Sequence, residues 1–429
     1  MNRKCRLIGA LFGAAAVVLL AGRAGATDSA EVVIEWNQIL QTTIPTAGPL
    51  APRYYAMLHI AMFDAVNSID RTYTPYRARV RANRGASAEA AAAQAAHDVL
   101  AFLIPGATPT FDAALATQLE SIPSWRAAQG VIVGRKVAKR IIAWRQNDGE
   151  VNPTPPAYVL PPLPGLWQPT PPAFAAASFP HFRDVEPFAL LTATQYLPDP
   201  PPTLTSDEYA ADFDEVKRIG ALDSAERTAE QTQTARLFAS IGNSTVHFAM
   251  WNDIAGNFAR SQYWSLVDTA RLFALLNASI HDGVQTSHAS KFVYGLWRPV
   301  TAIQRADEDL SPQTTADPAW SPLLTTPPYP SHAANQACIG ASAARALVRA
   351  FDSDAMPFTV TWIGTPGNPD VTRSYGSFSQ LADEQARSRV YGGIHFTFEV
   401  NASGESCVQV ADYVADNYML PRHAYGNRH

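Results

Sequence analysis

Apolar residues recur at three- and four-residue spacing through most of the chain and hardly anywhere at a spacing of two. That period predicts helices and leaves little room for a sheet. An apolar run containing Trp36 spans 32–40, and residues 51–69 (APRYYAMLHIAMFDAVNSI) follow with Pro52 near the first turn. Further helices are predicted over 87–103, opened by Ser87 and Glu89, over 111–122, and over 125–146, whose later turns are basic. Past residue 203 the pattern resumes over 206–219, 224–240, 246–260, 264–287, 331–351 (capped by Ser331), 377–389 and 403–419. Residues 358–363 are the one strand-like run, followed by a loop over 364–370. The expected class is all-α, built as helical bundles.

One segment breaks the pattern. Residues 151–203 carry 15 of the 33 prolines, which rules out a helix or a central strand there. Tyr158, Trp167, Phe174, Phe179, Phe182 and Phe188 favour burial over disorder. The segment is expected to be an extended belt packed over the helices. Residues 1–26 have a basic start, an apolar run and small residues before Thr27. They read as a secretory signal peptide, so a secreted or periplasmic protein is expected. Residues 27–429 then form one helical unit: N-terminal helices over 27–150, the belt over 151–203, and further helices over 204–429. In an oxidising compartment Cys338 and Cys407 form either one disulfide or two buried thiols. A net charge of −5 argues against a nucleic-acid surface, and 47% hydrophobic residues suit a globular protein without stable membrane association.

The chemistry concentrates late in the chain. Residues 291–299 read KFVYGLWRP, which puts Lys291 and Arg298 seven residues apart, on one face if a single helix runs to Pro299. Two cations in an apolar stretch without an acidic residue need an anion from elsewhere. Residues 388–395 read SRVYGGIH and add Arg389 and His395, with Gly392-Gly393 freeing the backbone between them. Glu399, four residues past His395, either accepts the second ring N–H or is a surface charge. His59 and Asp64 read as hydrogen-bonded groups inside a bundle. His281-Asp282 with His288 offers a metal-dependent hydrolase as a separate reading.

Together, K-x6-R-P and S-R-x5-H about ninety residues apart resemble the vanadium-dependent haloperoxidases and the acid phosphatases that share their oxyanion pocket. The flanking WRPVTAI and YGGIHF, the MLHIAMFDAVN run, Trp36-Asn37 and WQPTPPAF extend the resemblance over most of the chain. It implies two packed four-helix bundles, with vanadate as cofactor. Lys291, Arg298 and Arg389 would hold the oxyanion, and His395 would bond the metal. The implied reaction oxidises a halide, and in some members an organic acceptor, with hydrogen peroxide. The alternative is a phosphatase acting on a phosphate ester, with His395 as nucleophile. The family's P-S-G-H motif is altered here: residues 329–338 read YPSHAANQAC. In one register Ser331 takes the Ser role and His332 follows it directly. In the other, favoured because it needs no gap, Ala334, Asn335 and Gln336 take the Ser, Gly and His positions. Gln336 then stands where the acid/base would be, and His332, one turn back on the same helical face, is the nearest titratable group. A third reading is therefore a catalytically weak oxyanion-binding protein.

Overall fold

The computed structural model describes residues 29–45, 48–150, 155–239, 246–363 and 370–422. The expected signal peptide and nearly all of the 364–370 loop lie outside the described residues. Among the described residues the fold is all-α apart from one two-stranded antiparallel sheet. The first helices are α1 (Glu31–Thr43), α2 (Ala51–Asp70), α3 (Ala88–Leu103), α4 (Thr108–Glu120) and α5 (Ser124–Arg145). After the belt come α6 (Asp207–Ile219), α7 (Ala229–Leu237), α8 (Val246–Ser261), α9 (Leu266–Tyr294) and α10 (Pro299–Gln304). The last stretch holds α11 (Asn335–Phe351), β1 (Phe358–Trp362), β2 (Val371–Tyr375), α12 (Phe378–Tyr391) and α13 (Thr397–Asn417).

The centre is α9, 29 residues long and buried almost throughout. At 1.5 Å per residue it runs about 43 Å. On one side it packs against α2, which carries α3 and α5. On the other it packs against α11 and α13, with α12 against α11. The two helix groups therefore share α9. It is buried on every side, so it has no solvent-exposed face, and its polar residues meet internal partners. The alanine-rich α3 lets α5 approach closely: a Cβ on Gly134 would lie 2.5 Å from the Ala91 carbonyl oxygen. Cys338 of α11 and Cys407 of α13 are joined by a disulfide.

Several boundaries differ from the sequence reading. The helix carrying Lys291 stops at Tyr294, and does not continue to Arg298. Gly295 ends it in the left-handed region at φ 63°, donating its N–H to the Lys291 carbonyl. A Cβ there would also sit 2.7 Å from Leu160 Cδ1. Pro299 opens α10 at its first turn and Arg298 is the residue before it. α7 starts at Ala229 behind a Thr228/Gln231 capping box, because Ser224 closes a turn of its own by accepting from the Glu226 and Arg227 N–H groups. α11 starts at Asn335, so Ser331 does not cap it. α13 starts at Thr397, six residues before 403. β2 escaped notice because its alternation of half-buried Val371 and Arg373 is weak.

The belt lies where the aromatic residues pointed, with one exception. Trp167, Phe182 and Phe188 are buried, whereas Phe174 is 64% exposed. Its anchor is Asp282, whose carboxylate accepts from the backbone N–H groups of Phe188, Ala189 and Leu190. The Gln285 amide donates to the Phe182 and Val185 carbonyls, and His288 Nε2 meets the Phe179 carbonyl at 3.1 Å. His281 bonds Asp282 at 2.9 Å. These residues hold the belt. The metal reading of His281, Asp282 and His288 is thereby set aside: among the described residues no group of three or more His, Cys, Asp or Glu is placed to bind a metal. His59 meets Asn37 Oδ1 at 3.1 Å, and Asp64 accepts from the N–H groups of Tyr76, Arg77 and Ala78, as expected for bundle-interior groups. No described helix is long and apolar enough to cross a membrane.

Candidate functional site

The break after α9 builds the site. Between α9 and α10 the chain pairs with the belt: Trp167 N–H donates to the Gly295 carbonyl and Trp297 N–H to the Gly165 carbonyl. That pairing turns Arg298 back toward the end of α9, so Lys291 and Arg298 converge although no single helix carries both. Behind them Trp297, Tyr209, Phe396 and Phe398 form a separate apolar core, with the Trp297 indole donating to the Tyr209 hydroxyl. Over the cations lies the Tyr329 ring, 5.3 Å from Lys291 Nζ and 5.1 Å from Arg298 Cζ.

Lys291 Nζ donates to the Ser331 carbonyl at 2.8 Å and to the Ala333 carbonyl, leaving one of its three N–H groups. Arg298 donates from Nε to the Tyr329 carbonyl at 2.9 Å. Its Nη1 donates to the Ile394 carbonyl at 2.8 Å and to His395 Nε2 at 3.1 Å. Its Nη2 is buried with no partner. Arg389 Nη1 reaches the Phe238 carbonyl at 3.1 Å.

A guanidinium cannot accept a hydrogen bond, so His395 Nε2 facing Arg298 must be the bare lone pair. The ring proton then sits on Nδ1 and is donated to Glu399 Oε2 at 2.7 Å. The same carboxylate oxygen accepts from the Ser331 hydroxyl at 2.9 Å and from the Phe396 N–H at 3.0 Å. Glu399 is fully buried and its Oε1 has no partner. It is therefore no surface charge. The same geometry corrects the oxyanion role expected of Ser331: its hydroxyl proton points to Glu399.

The other altered-motif residues also have assigned partners. Asn335 Oδ1 accepts from Ser287, and Gln336 Oε1 accepts from Gln385 Nε2 at 2.7 Å. His332 lies ahead of α11 and outside any helix, so it does not share a helical face with Gln336. Its Nε2 meets the Asp199 carbonyl at 2.8 Å, and its Nδ1 is buried with no partner. Sequence reasoning missed Gln385, Trp251 and Tyr329. The first two belong to no motif, and only the fold places them beside α11.

The electrostatics of the site suit an anion. Lys291 and Arg298 are fully buried, and Arg389 and His395 retain 8% and 4% exposure. Among the described residues none of the three cations forms a salt bridge with a carboxylate. Glu399, bound to His395, acts against Lys291 and Arg298, and the Tyr329 hydroxyl acts against Arg298 and Arg389. Burial first, then Arg298, pushes the Lys291 ammonium well below its usual pKa, against the raising effect of Glu399. Burial and then Arg298, Lys291 and Arg389 push His395 well below its usual value, which keeps it neutral. Burial lifts Glu399 to about 7 against the opposing pull of Arg298 and Lys291. Burial lowers His332 to about 4. Three cations against one carboxylate leave an uncompensated positive charge in a buried site, a costly arrangement without a balancing anion.

Vanadate fits that vacancy of charge. A tetrahedral oxyanion has acceptors for the free Arg298 Nη2, the third Lys291 N–H and the Arg389 fork, and His395 Nε2 offers a lone pair to a metal.

Residues 271–423 match the family described as the VCPO second helical-bundle domain. Among curated proteins, the vanadium chloroperoxidase of Curvularia inaequalis is 24% identical over 286 residues. That match covers 52% of this chain and 46% of that protein, so the chain spans about half the length of this curated relative. Among solved structures, a bacterial vanadium-dependent iodoperoxidase superposes with a TM-score of 0.78 at 24% identity, covering 94% of this chain and 100% of that one. The holo form of a bacterial vanadium-dependent chloroperoxidase superposes at 0.70 and 19% identity, covering 89% and 96%. At these identities the structural likenesses show a common fold.

Proposed function

We propose that this chain is a member of the vanadium haloperoxidase superfamily and acts as a vanadate-dependent peroxidase that oxidises a halide with hydrogen peroxide. The observation that carries the proposal is the convergence of Lys291, Arg298 and Arg389 on a His395 whose tautomer is set by Glu399. Vanadate, when bound, supplies a Lewis-acid centre that activates hydrogen peroxide toward a halide. Arg298 and Arg389 would hold the oxyanion by their forks, Lys291 would act as a point charge, and His395 Nε2 would bond the metal. Glu399 keeps that lone pair available by taking the Nδ1 proton. The cations are buried, with the Tyr329 ring beside Lys291 and Arg298, and burial strengthens every charge interaction inside. The signal peptide read from residues 1–26 supports a secreted or periplasmic setting.

One observation favours a second reading, an oxyanion binder of low turnover. Gln336 does not titrate, and His332 Nε2 is taken by a backbone carbonyl. The unpartnered ring nitrogens near Lys291 are then His332 Nδ1 and His288 Nδ1, and a missing general acid/base costs on the order of 10²–10⁴ in rate.

The test is halogenation by the purified protein, with iodide, bromide and chloride, before and after loading with orthovanadate. Vanadate-dependent halogenation is expected. Tight vanadate binding without halogenation would select the second reading. Hydrolysis of a phosphate ester by vanadate-free protein, abolished in His395→Ala, would replace both with a phosphatase.

A further inference from the structure

We propose that Trp251 and Gln385 are positioning residues that clamp the Gln336 amide in one orientation, with its NH2 group presented to the bound anion as a donor that does not titrate. The proposal rests on the site being an oxyanion site.

The clamp is a directed chain. Trp251 Nε1 donates to Gln385 Oε1 at 3.0 Å, and Gln385 Nε2 donates to Gln336 Oε1 at 2.7 Å. An amide can be turned end for end without changing its shape, so the order of its atoms needs a chemical reason. Here the indole supplies it. An indole N–H only donates, so the group facing it on Gln385 must be the carbonyl. Gln385 is then left with its NH2 toward Gln336, which must answer with its own carbonyl. Both Trp251 and Gln385 are fully buried, so water cannot substitute for either bond. Gly340 makes the room: a Cβ there would lie 3.1 Å from Gln385 Oε1.

The consequence falls on Gln336 Nε2, from which no described residue accepts. Gln336 is the second residue of α11, half-buried. The segment just before it holds Lys291 through the Ser331 and Ala333 carbonyls. On the other side, Gln385 lies one helical turn before Arg389 on α12, on the same face. The amide therefore stands between the segment that grips Lys291 and the helix that carries Arg389. Clamped this way it can only attract an anion; turned over, its carbonyl oxygen would repel one. Its charge state does not change with pH, unlike that of a histidine.

Orthovanadate affinity of the purified protein, measured by calorimetry, tests the clamp without turnover. Gln336→Leu is expected to weaken binding about 10-fold or more, the loss of one hydrogen bond to a charged group. Gln385→Leu, which frees Gln336 to turn, should cost about 3-fold, and should cost nothing further in the Gln336→Leu background. If Gln385→Leu does not fold, Trp251→Phe reads the same clamp by removing only the donor that sets its direction. The ratio of wild-type to Gln336→Leu affinity should be flat from pH 6 to 8. Wild-type binding with unchanged affinity in Gln336→Leu would overturn the clamp and leave the site intact. So would a Gln385→Leu loss that persists in full without Gln336. A wild-type protein that binds no orthovanadate would instead remove the site reading on which the clamp stands.

Discussion

His395 shows how far single-residue chemistry carries the reading. Its proton position follows from what Arg298 cannot do, and its neutrality from burial among three cations. Glu399 has two tasks there: it holds the Nδ1 proton, and it offsets one of those cations. Glu399→Gln can still accept through its carbonyl oxygen but removes the charge. We expect its orthovanadate affinity, by calorimetry, to fall by roughly 10–100-fold, the usual range for changing a group that orients a metal-ligating histidine. An unchanged affinity would mean that the tautomer is held by Arg298 alone. His332 has a different expected signature. Its Nε2 is engaged by Asp199 and only Nδ1 is open, so His332→Ala should keep vanadate affinity within a few-fold. If Nδ1 is the working base, the same variant should lose on the order of 10²–10⁴ in halogenation rate. Retention of both affinity and rate would place proton transfer elsewhere.

At the scale of elements, the sequence exposed what is periodic and hid what is non-local. The helices were legible because their apolar spacing is regular, and α9 was legible as two pieces, 264–287 and the Lys291 stretch. Their fusion was not, since α9 is buried on every side and its polar residues Asn277, Asp282, Gln285 and His288 meet internal partners and mark no solvent-facing stripe. The end at Gly295 was masked by the neighbouring K-x6-R spacing, which suits a helix equally well. Only the belt, pairing at Gly165 and Trp167, shows why the chain turns there. Lys291, Arg298, Arg389 and His395 could be named in advance because their motif is compact. The Asp282 anchor and the Trp251–Gln385 clamp join residues 92 to 134 positions apart and leave no local trace. A packing test belongs here too. Gly134 gives α5 its close approach to α3, with Gln94 Cβ only 2.8 Å from where its own Cβ would be. Gly134→Val should therefore force the helices apart and destabilise the protein by about 1–3 kcal/mol or more, measured by chemical denaturation. It should leave orthovanadate affinity unchanged, because α3 and α5 lie in the helix group away from the site. A stable Gly134→Val protein would show that the two helices slide freely past one another.

For the whole molecule, burial of titratable groups sets the pH range of stability. Six histidines, His59, His247, His281, His288, His332 and His395, are buried with pKa values pushed below 6.5, chiefly by desolvation. In the unfolded chain each takes up a proton near pH 6.5. The unfolded state therefore binds more protons below that pH, and stability falls as pH falls. For His59, held near 3, the loss at pH 5 is about 2 kcal/mol, from 1.36 kcal/mol per pH unit over 1.5 units. Buried carboxylates act in the opposite sense. Asp64 and Asp212 are raised to about 6 and Glu399 to about 7, again by desolvation first. Their contribution is present below about pH 4 and is lost as pH rises through 6 to 7. Asp253 and Asp383 are raised by burial too, so six histidines stand against five carboxylates; the histidines titrate in the unfolded chain within this window, so net stability should rise with pH from 5 to 6.5 and level off near neutrality. A thermal-melting series in vanadate-free buffer from pH 4.5 to 8 checks this. His59→Gln, which keeps a partner for Asn37 without a titrating ring, should flatten the acid limb by about one proton's worth of slope. A melting temperature that climbs steadily as pH is lowered from 6.5 to 5 would show that the carboxylates dominate.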